Sequence, residues 1–123
     1  MNAELNEITV NGVEYVRKST AQSAMAETDG LKYCIIRCSG AGVHAGYLKE
    51  KSETEVVLLN GRRLWKWYGK TLSGLALEGT FAPEQCKFAD TLPEIILSGW
   101  CEIIPCTEVA RKSLEGVSPW KND

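Results

Sequence analysis

Alternating apolar and polar positions through the middle of the chain predict consecutive short strands. Residues 31–38 are too apolar and too rich in β-branched side chains for a surface helix, and this run stops at four small residues, 39–42. Residues 43–51 then alternate, a polar turn follows at 52–54, and a second apolar run covers 55–59. The pattern predicts neighbouring strands joined by tight turns.

Two Asn-Gly dipeptides mark predicted hairpin turns. Asn11-Gly12 separates two alternating runs within residues 7–18, and Asn60-Gly61 separates the apolar run from the aromatic and basic residues 62–67. Asn-Gly is favoured in the two-residue type I′ turn, because both of its residues accept a positive φ. We therefore expect one hairpin near the N-terminus and another at residue 60.

Three segments carry helix signals. Residues 19–29 are rich in alanine and end at an Asp-Gly pair, which fits either a short helix or a mobile loop. Residues 71–79 place leucines on one helical face between a capping threonine and a terminal glycine. Residues 107–114 begin with another capping threonine, followed by Glu108, and Gly116 lies just beyond their end.

Strand character returns after Pro83, at residues 86–88 and again at 94–105, where Gly99 indicates a bulge or a bend. The whole pattern predicts an α+β fold, with a mainly antiparallel sheet meander and two short helices in the C-terminal half of the chain. A length of 123 residues fits a single domain over residues 1–123.

Composition narrows the function classes. Hydrophobic residues make up 44% and charged residues 24% of the chain, which is the ordinary range of globular proteins. The formal net charge of −2 gives no long-range attraction for duplex nucleic acid, so an anion site has to be a local pocket.

The termini and the cysteines suggest a reduced compartment. The first seven residues are polar and acidic, unlike a secretory signal, and no apolar run reaches the roughly 18 residues of a membrane span. We expect a cytoplasmic protein that does not enter a membrane. We therefore expect the five cysteines to be reduced core residues and not to form a disulfide framework.

Catalytic and metal motifs are sparse. His44 is the single histidine, which excludes multi-histidine metal sites, and the cysteine spacings do not match zinc knuckles. A Cys38–His44 nucleophilic pair is conceivable, but no orienting third group is recognisable by spacing. A surface strand residue is the simpler interpretation of His44, and we expect no enzymatic activity, no metal and no cofactor.

One combination of residues points to an anion ligand. The small-residue turn Ser39, Gly40, Ala41 and Gly42 can bring backbone N–H groups close to a phosphate. The strand after it carries arginines, which bind phosphates, and tryptophans, which stack on bases; these are Arg62, Arg63, Trp65 and Trp67. On spacing alone the signal is weak, because glycine-rich loops also form plain hairpin turns and Trp65 and Trp67 would also cover the core from one sheet face.

Four sequence blocks resemble a family of small phage proteins, the first-described Thoeris anti-defence proteins. The blocks are YCIIRCSGAGVHAGYL at 33–48, EVVLLNGRRLWKW at 55–67, PEQCKF at 83–88, and EIIL to EIIPCT across 94–107. The resemblance covers roughly residues 31–115, with the blocks in the same order. It implies a non-enzymatic protein of the host cell cytoplasm that binds and sequesters a cyclic ADP-ribose isomer made by TIR-domain enzymes.

The same resemblance implies further partners and a set of site residues. Cyclic di- and trinucleotides of CBASS defence are additional candidate ligands, and a homo-oligomer, either a dimer or an assembly of dimers, is expected. By motif position, the turn Ser39–Gly42 would cradle the ligand, and Arg62 or Arg63 would supply charge, since these two point to opposite faces of a regular strand. Stacking faces and a further cation would come from the remaining candidates, which are Trp65, Trp67, Phe88 and Arg111.

Two other function classes remain open from the sequence. A small single-stranded nucleic-acid binder would use Trp65 and Trp67 as stacking platforms beside Arg63 and Lys66. A phage structural or accessory protein would bind no small ligand.

Overall fold

The computed structural model describes residues 24–69 and 71–121 of the chain. The helices are α1 (Leu72–Glu78) and α2 (Glu108–Glu115), and a 3-10 turn covers Pro83–Gln85. The strands are β1 (Glu27–Thr28), β2 (Leu31–Cys38), β3 (Gly42–Lys51), β4 (Glu55–Lys66), β5 (Lys87–Phe88), β6 (Leu92–Ser98) and β7 (Trp100–Pro105).

All these strands join one antiparallel sheet. β2, β3 and β4 form a meander at its centre, β1 and β7 pair with the outer edge of β2, and β5 and β6 pair with β4. β6 and β7 are consecutive in the chain and meet at Gly99, where a φ of +72° turns the backbone. Because these two strands pair with opposite sides of the meander, the sheet curls into a half-barrel.

Strand β2 is buried on both faces, as its continuous apolar run requires. Tyr33 and Ile35 pack with the helices in the larger core cluster, whereas Cys34 and Ile36 pack on the other face with Leu58. Each fully buried leucine or isoleucine of this kind contributes about 2 kcal/mol of transfer free energy.

The two helices cover one face of the sheet and are joined by a capping threonine. Thr71 Oγ1 accepts a hydrogen bond from the backbone N–H of Gly74, and Thr107 Oγ1 accepts one from Ala110. The Thr107 hydroxyl also donates to the carbonyl of Leu77, at 2.6 Å, so the start of α2 is tied to the end of α1.

The predicted α+β class, with a mainly antiparallel sheet and two short helices in the C-terminal half, is confirmed. The bounds of β2, the turn at 52–54 and the bend at Gly99 also agree with prediction, whereas β4 extends past the predicted run 55–59 to Lys66. Over the described ranges, no helix has both the length and the apolar character to cross a membrane.

The predicted hairpin at Asn60-Gly61 is wrong, because β4 runs straight through both residues. Ala45 lies opposite Arg62 and Tyr47 lies opposite Leu59, so Asn60 and Gly61 together face Gly46 in a β-bulge. A type I′ turn requires positive φ at both positions, but only Asn60 has it, at 50°. Pairing with β3 on one side and β6 on the other outweighs the local turn preference.

Of the two N-terminal predictions, one lies outside the described residues and the other is corrected by the structure. The hairpin at Asn11-Gly12 lies outside the described residues. The helix interpretation of residues 19–29 is wrong where the structure describes the segment: Met25 makes a β-bridge with Thr107, and β1 follows. Residues 19–23 lie outside the described part.

Candidate functional site

The small-residue turn is an open surface feature at the β2–β3 connection. Ser39 donates its N–H to the carbonyl of Gly99, at 3.3 Å, and Gly42 adopts a φ of +87°. A Cβ added at Gly40 would meet nothing within 4 Å, so backbone there is accessible. The turn is where the sequence predicted it, but among the described residues no hydrogen bond joins it to Arg62 or Arg63.

Trp100 is the aromatic neighbour of that turn, because it lies opposite Cys38 in the sheet. Its indole N–H donates to the carbonyl of Ser52, at 3.0 Å, and Lys51 Nζ lies 5.5 Å from its ring centre. The turn therefore has an aromatic and cationic neighbour that sequence reasoning did not single out.

Arg62 is a core residue, with only 2% of its surface exposed. Its Nε donates to the carbonyl of Ala89, and its Nη1 donates to the carbonyls of Leu114 and Val117, at 2.8–3.1 Å. The guanidinium also lies 5.2 Å from the ring centre of Phe88, which is fully buried. Main-chain acceptors hold this arginine, and a phosphate would have to displace them.

Arg63 points to the opposite face, as the strand alternation predicted, and contacts His44. Its Nε donates to His44 Nε2 at 3.4 Å, which places the imidazole proton on Nδ1. That Nδ1 is buried and has no hydrogen-bond partner among the described residues. Burial, followed by the positive charge of Arg63, lowers the pKa of His44 to about 4. His44 is 2% exposed, so its interpretation as a surface residue is wrong.

Trp65 and Trp120 form an exposed aromatic pair. Their ring centres lie 5.7 Å apart in an edge-to-face arrangement, and their exposed fractions are 52% and 39%. Lys87 Nζ lies 4.9 Å from the ring centre of Trp120. The backbone of Trp120 is held in place because its main-chain N–H donates to the carbonyl of Phe88, at 2.8 Å.

The same surface continues past Lys87. Lys66 lies directly opposite Lys87 in the sheet, and its Nζ is 5.3 Å from the ring centre of Tyr68. The Tyr68 ring in turn contacts the exposed ring of Phe81 edge to face. We call this set the aromatic–lysine surface; its members are Trp65, Lys66, Tyr68, Phe81, Lys87 and Trp120.

Of the other predicted stacking residues, Trp67 is half-buried against the larger core cluster and Phe88 lies inside that cluster. Neither presents an open ring face comparable to Trp65. Their main contribution is to the packing beneath the aromatic–lysine surface.

Arg111 lies between two carboxylates. It forms ion pairs with Glu108 and, at 2.7 Å, with Glu115, and the Tyr47 hydroxyl donates to Glu115 at 2.8 Å. The adjacent cavity of about 190 Å³ is bordered by Asp29 and Glu115. Because acidic groups surround Arg111, this cavity does not favour a phosphate.

Within the described part of the chain, the predicted cations lie in separate surroundings: Arg62 in the core, Arg63 beside His44 and Arg111 between two carboxylates. Trp65 is exposed, as a stacking residue has to be, and sequence reasoning missed its ring partner Trp120 as well as Lys87 and Phe81 of the same surface. Lys87 could have been noticed beside Phe88 in a predicted strand, but no local signal brings Trp120 next to Trp65.

Four of the five cysteines lie in the core. Cys34, Cys38, Cys86 and Cys106 are buried, which confirms their interpretation as core residues, whereas Cys101 is exposed. Burial raises the pKa of Cys34 to about 11, so this thiol stays protonated at neutral pH. Within residues 24–69 and 71–121, no three His, Cys, Asp or Glu side chains are placed to hold a metal ion.

Comparison with known proteins gives a family but no activity. Residues 31–114 match the model of a domain of unknown function, DUF6948, and the chain belongs to that family. The matched span runs from the start of β2 almost to the end of α2. No curated protein and no solved structure gives a significant match.

Proposed function

We propose that this protein is a non-enzymatic nucleotide-binding protein that sequesters cyclic nucleotide signals. The observation that carries the proposal is the exposed pair Trp65 and Trp120 with Lys87 beside it. The ligand class comes from the sequence resemblance, which names a cyclic ADP-ribose isomer such as glycocyclic ADP-ribose, and cyclic oligonucleotides as further ligands. The proposed place of action is the host cell cytoplasm.

The chemistry of the surface suits such a ligand. Every nucleobase has a π face, and stacking on an aromatic side chain is worth about 1–3 kcal/mol per base. Lys66 and Lys87 lie opposite each other and add two positive charges next to the rings. A molecule that carries bases and phosphates matches both features, whereas a purely apolar ligand would leave the ammonium groups without anionic partners.

The arginines that were also predicted to bind the phosphates already have partners within the protein. Arg62 is committed to main-chain carbonyls, and Arg111 is paired with Glu108 and Glu115. The turn Ser39–Gly42 with Trp100 and Lys51 is a second place where an aromatic ring and a lysine meet accessible backbone. Two such regions are compatible with a protein that holds more than one nucleotide class.

The surroundings of His44 support binding without chemistry. Its described side-chain hydrogen bond is to Arg63, and its pKa of about 4 makes it a weak base at neutral pH. No hydroxyl, thiol or carboxylate side chain of the described residues hydrogen-bonds this imidazole. A retained, intact ligand is the outcome expected of such a protein.

Self-association is part of the proposal. β6 pairs with β4 along one edge, and the strand exposes Leu92 and Ile96 at 50% and 61%. An exposed apolar strand is a common surface for contact between copies. A homo-oligomer would allow a second copy to cover a ligand bound on the open face of the first.

Calorimetric titration with glycocyclic ADP-ribose tests the proposal. The wild-type protein should bind it, and Trp65→Ala or Trp120→Ala should each weaken binding by about tenfold. Trp100→Phe is the comparison variant, because it alters the tryptophan that lies under Lys51 beside the turn Ser39–Gly42. If Trp100→Phe removes binding and the other two variants do not, the aromatic–lysine surface is the wrong site; if the wild type does not bind, the function is wrong.

A single-stranded nucleic-acid binder is the second candidate, favoured by the openness of the surface. Exposed rings at Trp65 and Trp120 could stack successive bases of a strand. Filter binding of a labelled oligonucleotide across salt concentrations separates the candidates, because strand binding weakens steeply with ionic strength.

A further inference from the structure

The cavity of about 190 Å³ beside Arg111 lies between the β1–β2 turn, the β4 bulge and the end of α2. None of the six residues of the aromatic–lysine surface lines it. A cavity of about 150 Å³ in another protein is enough to hold benzene, so this one has room for a small organic group. Its chemistry is also different from that of the aromatic–lysine surface.

Two bends of the main chain border this cavity. Asp29 lies in the turn between β1 and β2 with a φ of +53°, and Asn60 lies in the β4 bulge with a φ of +50°. Within the described ranges, these are the only residues other than glycine with a positive φ, and both line the cavity. The bends therefore bring a residue with a carboxylate and a residue with an amide to the same space.

A second carboxylate borders the cavity from α2. Glu115 accepts a hydrogen bond from the Tyr47 hydroxyl, at 2.8 Å, and pairs with Arg111, at 2.7 Å, so its position is fixed. Arg111 also pairs with Glu108. The carboxylates of Glu108, Glu115 and Asp29 thus share one guanidinium, and these four groups leave an excess of negative charge beside the cavity.

A buried hydroxyl lies close to the Glu115 end of the cavity. Tyr33 is opposite Tyr47 in the sheet, and their ring centres are 4.9 Å apart. Tyr33 is fully buried, and its hydroxyl has no hydrogen-bond partner among the described residues. Burial, followed by the negative charge of Glu115, raises the pKa of Tyr33 above its ordinary value. Such a hydroxyl is uncommon in a protein interior and offers a hydrogen bond to a polar group that reaches it.

The other walls of the cavity are apolar. Leu31 and Leu59 line it, and both are half-buried against the larger core cluster. A metal ion such as Ca²⁺ takes six to eight oxygen ligands, which leucine side chains do not supply. A hydrocarbon chain, in contrast, is favoured by contact with leucine methyl groups. The lining therefore suits an organic cation.

We propose that this cavity binds a primary ammonium group on an aliphatic chain, as in a polyamine or a lysine side chain. The chain lies between Leu31 and Leu59, and the ammonium group donates hydrogen bonds to the carboxylates of Asp29 and Glu115. An ammonium group has three donors and no acceptor, which matches this end of the cavity. The site is independent of the proposed nucleotide-binding function and uses none of its residues.

Titration of the ¹⁵N-labelled full chain with pentylamine, followed by amide chemical shifts, tests the proposal. Pentylamine should cause saturable shifts at residues 28–31 and 59–60, which border the cavity. Pentan-1-ol has the same chain length without the charge and should bind about fivefold more weakly, because a charged donor forms the stronger hydrogen bonds. Equal affinities, or pentylamine shifts confined to other residues, would overturn the inference.

Asp29→Asn removes one carboxylate while it keeps a side chain that accepts a positive φ. It should weaken pentylamine binding by about threefold and leave pentan-1-ol unchanged. Glu27→Gln is the matched control, because Glu27 is an exposed acidic residue of β1 that does not line the cavity. Equal effects of the two variants on pentylamine would show that only the general charge of the protein matters.

Two further ligands distinguish the sources of the ammonium group. Spermidine binding more tightly than Nα-acetyl-lysine amide supports a free polyamine, and the reverse order supports a lysine side chain of a partner. Calcium chloride that shifts the same amides at lower concentration than pentylamine would overturn the inference in favour of an inorganic cation. Asp29→Asn should bind glycocyclic ADP-ribose as the wild type does, so failure of either proposal is seen separately.

Discussion

Gly46 and Gly61 face each other across β3 and β4 so closely that a Cβ built on Gly46 would stand 2.8 Å from the Cα of Gly61. This approach is possible because neither residue has a side chain. It lets Asn60 and Gly61 form the bulge that keeps β4 continuous instead of turning the chain back.

Gly46→Ala should therefore destabilise the protein by about 1–3 kcal/mol, because the added methyl group meets backbone that has to move. Gly40→Ala is the matched control: its Cβ would enter open space, and we expect a change within about 0.5 kcal/mol. Urea unfolding of both variants measures the difference, and equal stabilities would contradict the close approach.

The neighbouring arginines of β4 should behave differently. Arg62→Met removes the arginine donor from the carbonyls of Ala89, Leu114 and Val117, of which that of Leu114 keeps the N–H of Val117, and it should lower the free energy of unfolding by about 3 kcal/mol. Arg63→Met removes an exposed side chain with one long contact to His44 and should cost less than about 1 kcal/mol. A reversed order in urea midpoints would show that Arg62 is not the structural member of the pair.

Acid should destabilise the fold partly through His44. The unfolded chain protonates this imidazole near its ordinary pKa of 6.5, whereas the folded protein holds the pKa at about 4. Between these values the unfolded state binds more protons, so this contribution is fully present above about pH 6.5 and is lost as the pH falls toward 4. Its size is about 3 kcal/mol, since each tenfold change in a protonation equilibrium is about 1.4 kcal/mol.

Unfolding of the wild type and of His44→Gln between pH 7 and pH 4 measures this contribution, because the carboxylates titrate in both proteins. The wild type should lose more stability over this range than the variant. Parallel curves would mean that His44 is protonated equally in the folded and unfolded states.

The lysines of the aromatic–lysine surface should contribute to nucleotide binding through charge. Exposed ion pairs are worth about 0.2–1 kcal/mol, so Lys66→Gln and Lys87→Gln should each weaken binding by a factor of about 1.4 to 5. Raising NaCl from about 50 mM to about 500 mM should reduce this effect, because salt screens exposed charges. Lys32→Gln, which alters an exposed lysine on β2 outside both candidate regions, is the control for a general loss of positive charge.

Local sequence signals predicted an element well wherever the interactions that form it lie within one short segment. Thr71 and Thr107 cap the helices because the accepting oxygen and donating N–H lie three residues apart. Asn60-Gly61 misled the prediction, because pairing on both sides of β4 decided its conformation. A dipeptide cannot specify how its strand pairs with strands that are distant in the sequence.

The candidate site was harder to predict than the fold. Strand alternation correctly put Arg62 and Arg63 on opposite faces of β4. It could not show that Arg62 would be buried, since arginine is seldom found in a protein core. Trp120 reaches Trp65 only because the chain after α2 returns to pair beside Phe88. The aromatic–lysine surface therefore became visible only with the tertiary structure.

Release of bound ligand by heat tests the central claim most directly. The purified protein is incubated with glycocyclic ADP-ribose, freed of unbound ligand and denatured, and the supernatant is analysed by mass spectrometry. The account predicts intact ligand from the wild type and little from the double variant Trp65→Ala, Trp120→Ala. Degraded ligand, or equal release from both proteins, would contradict it.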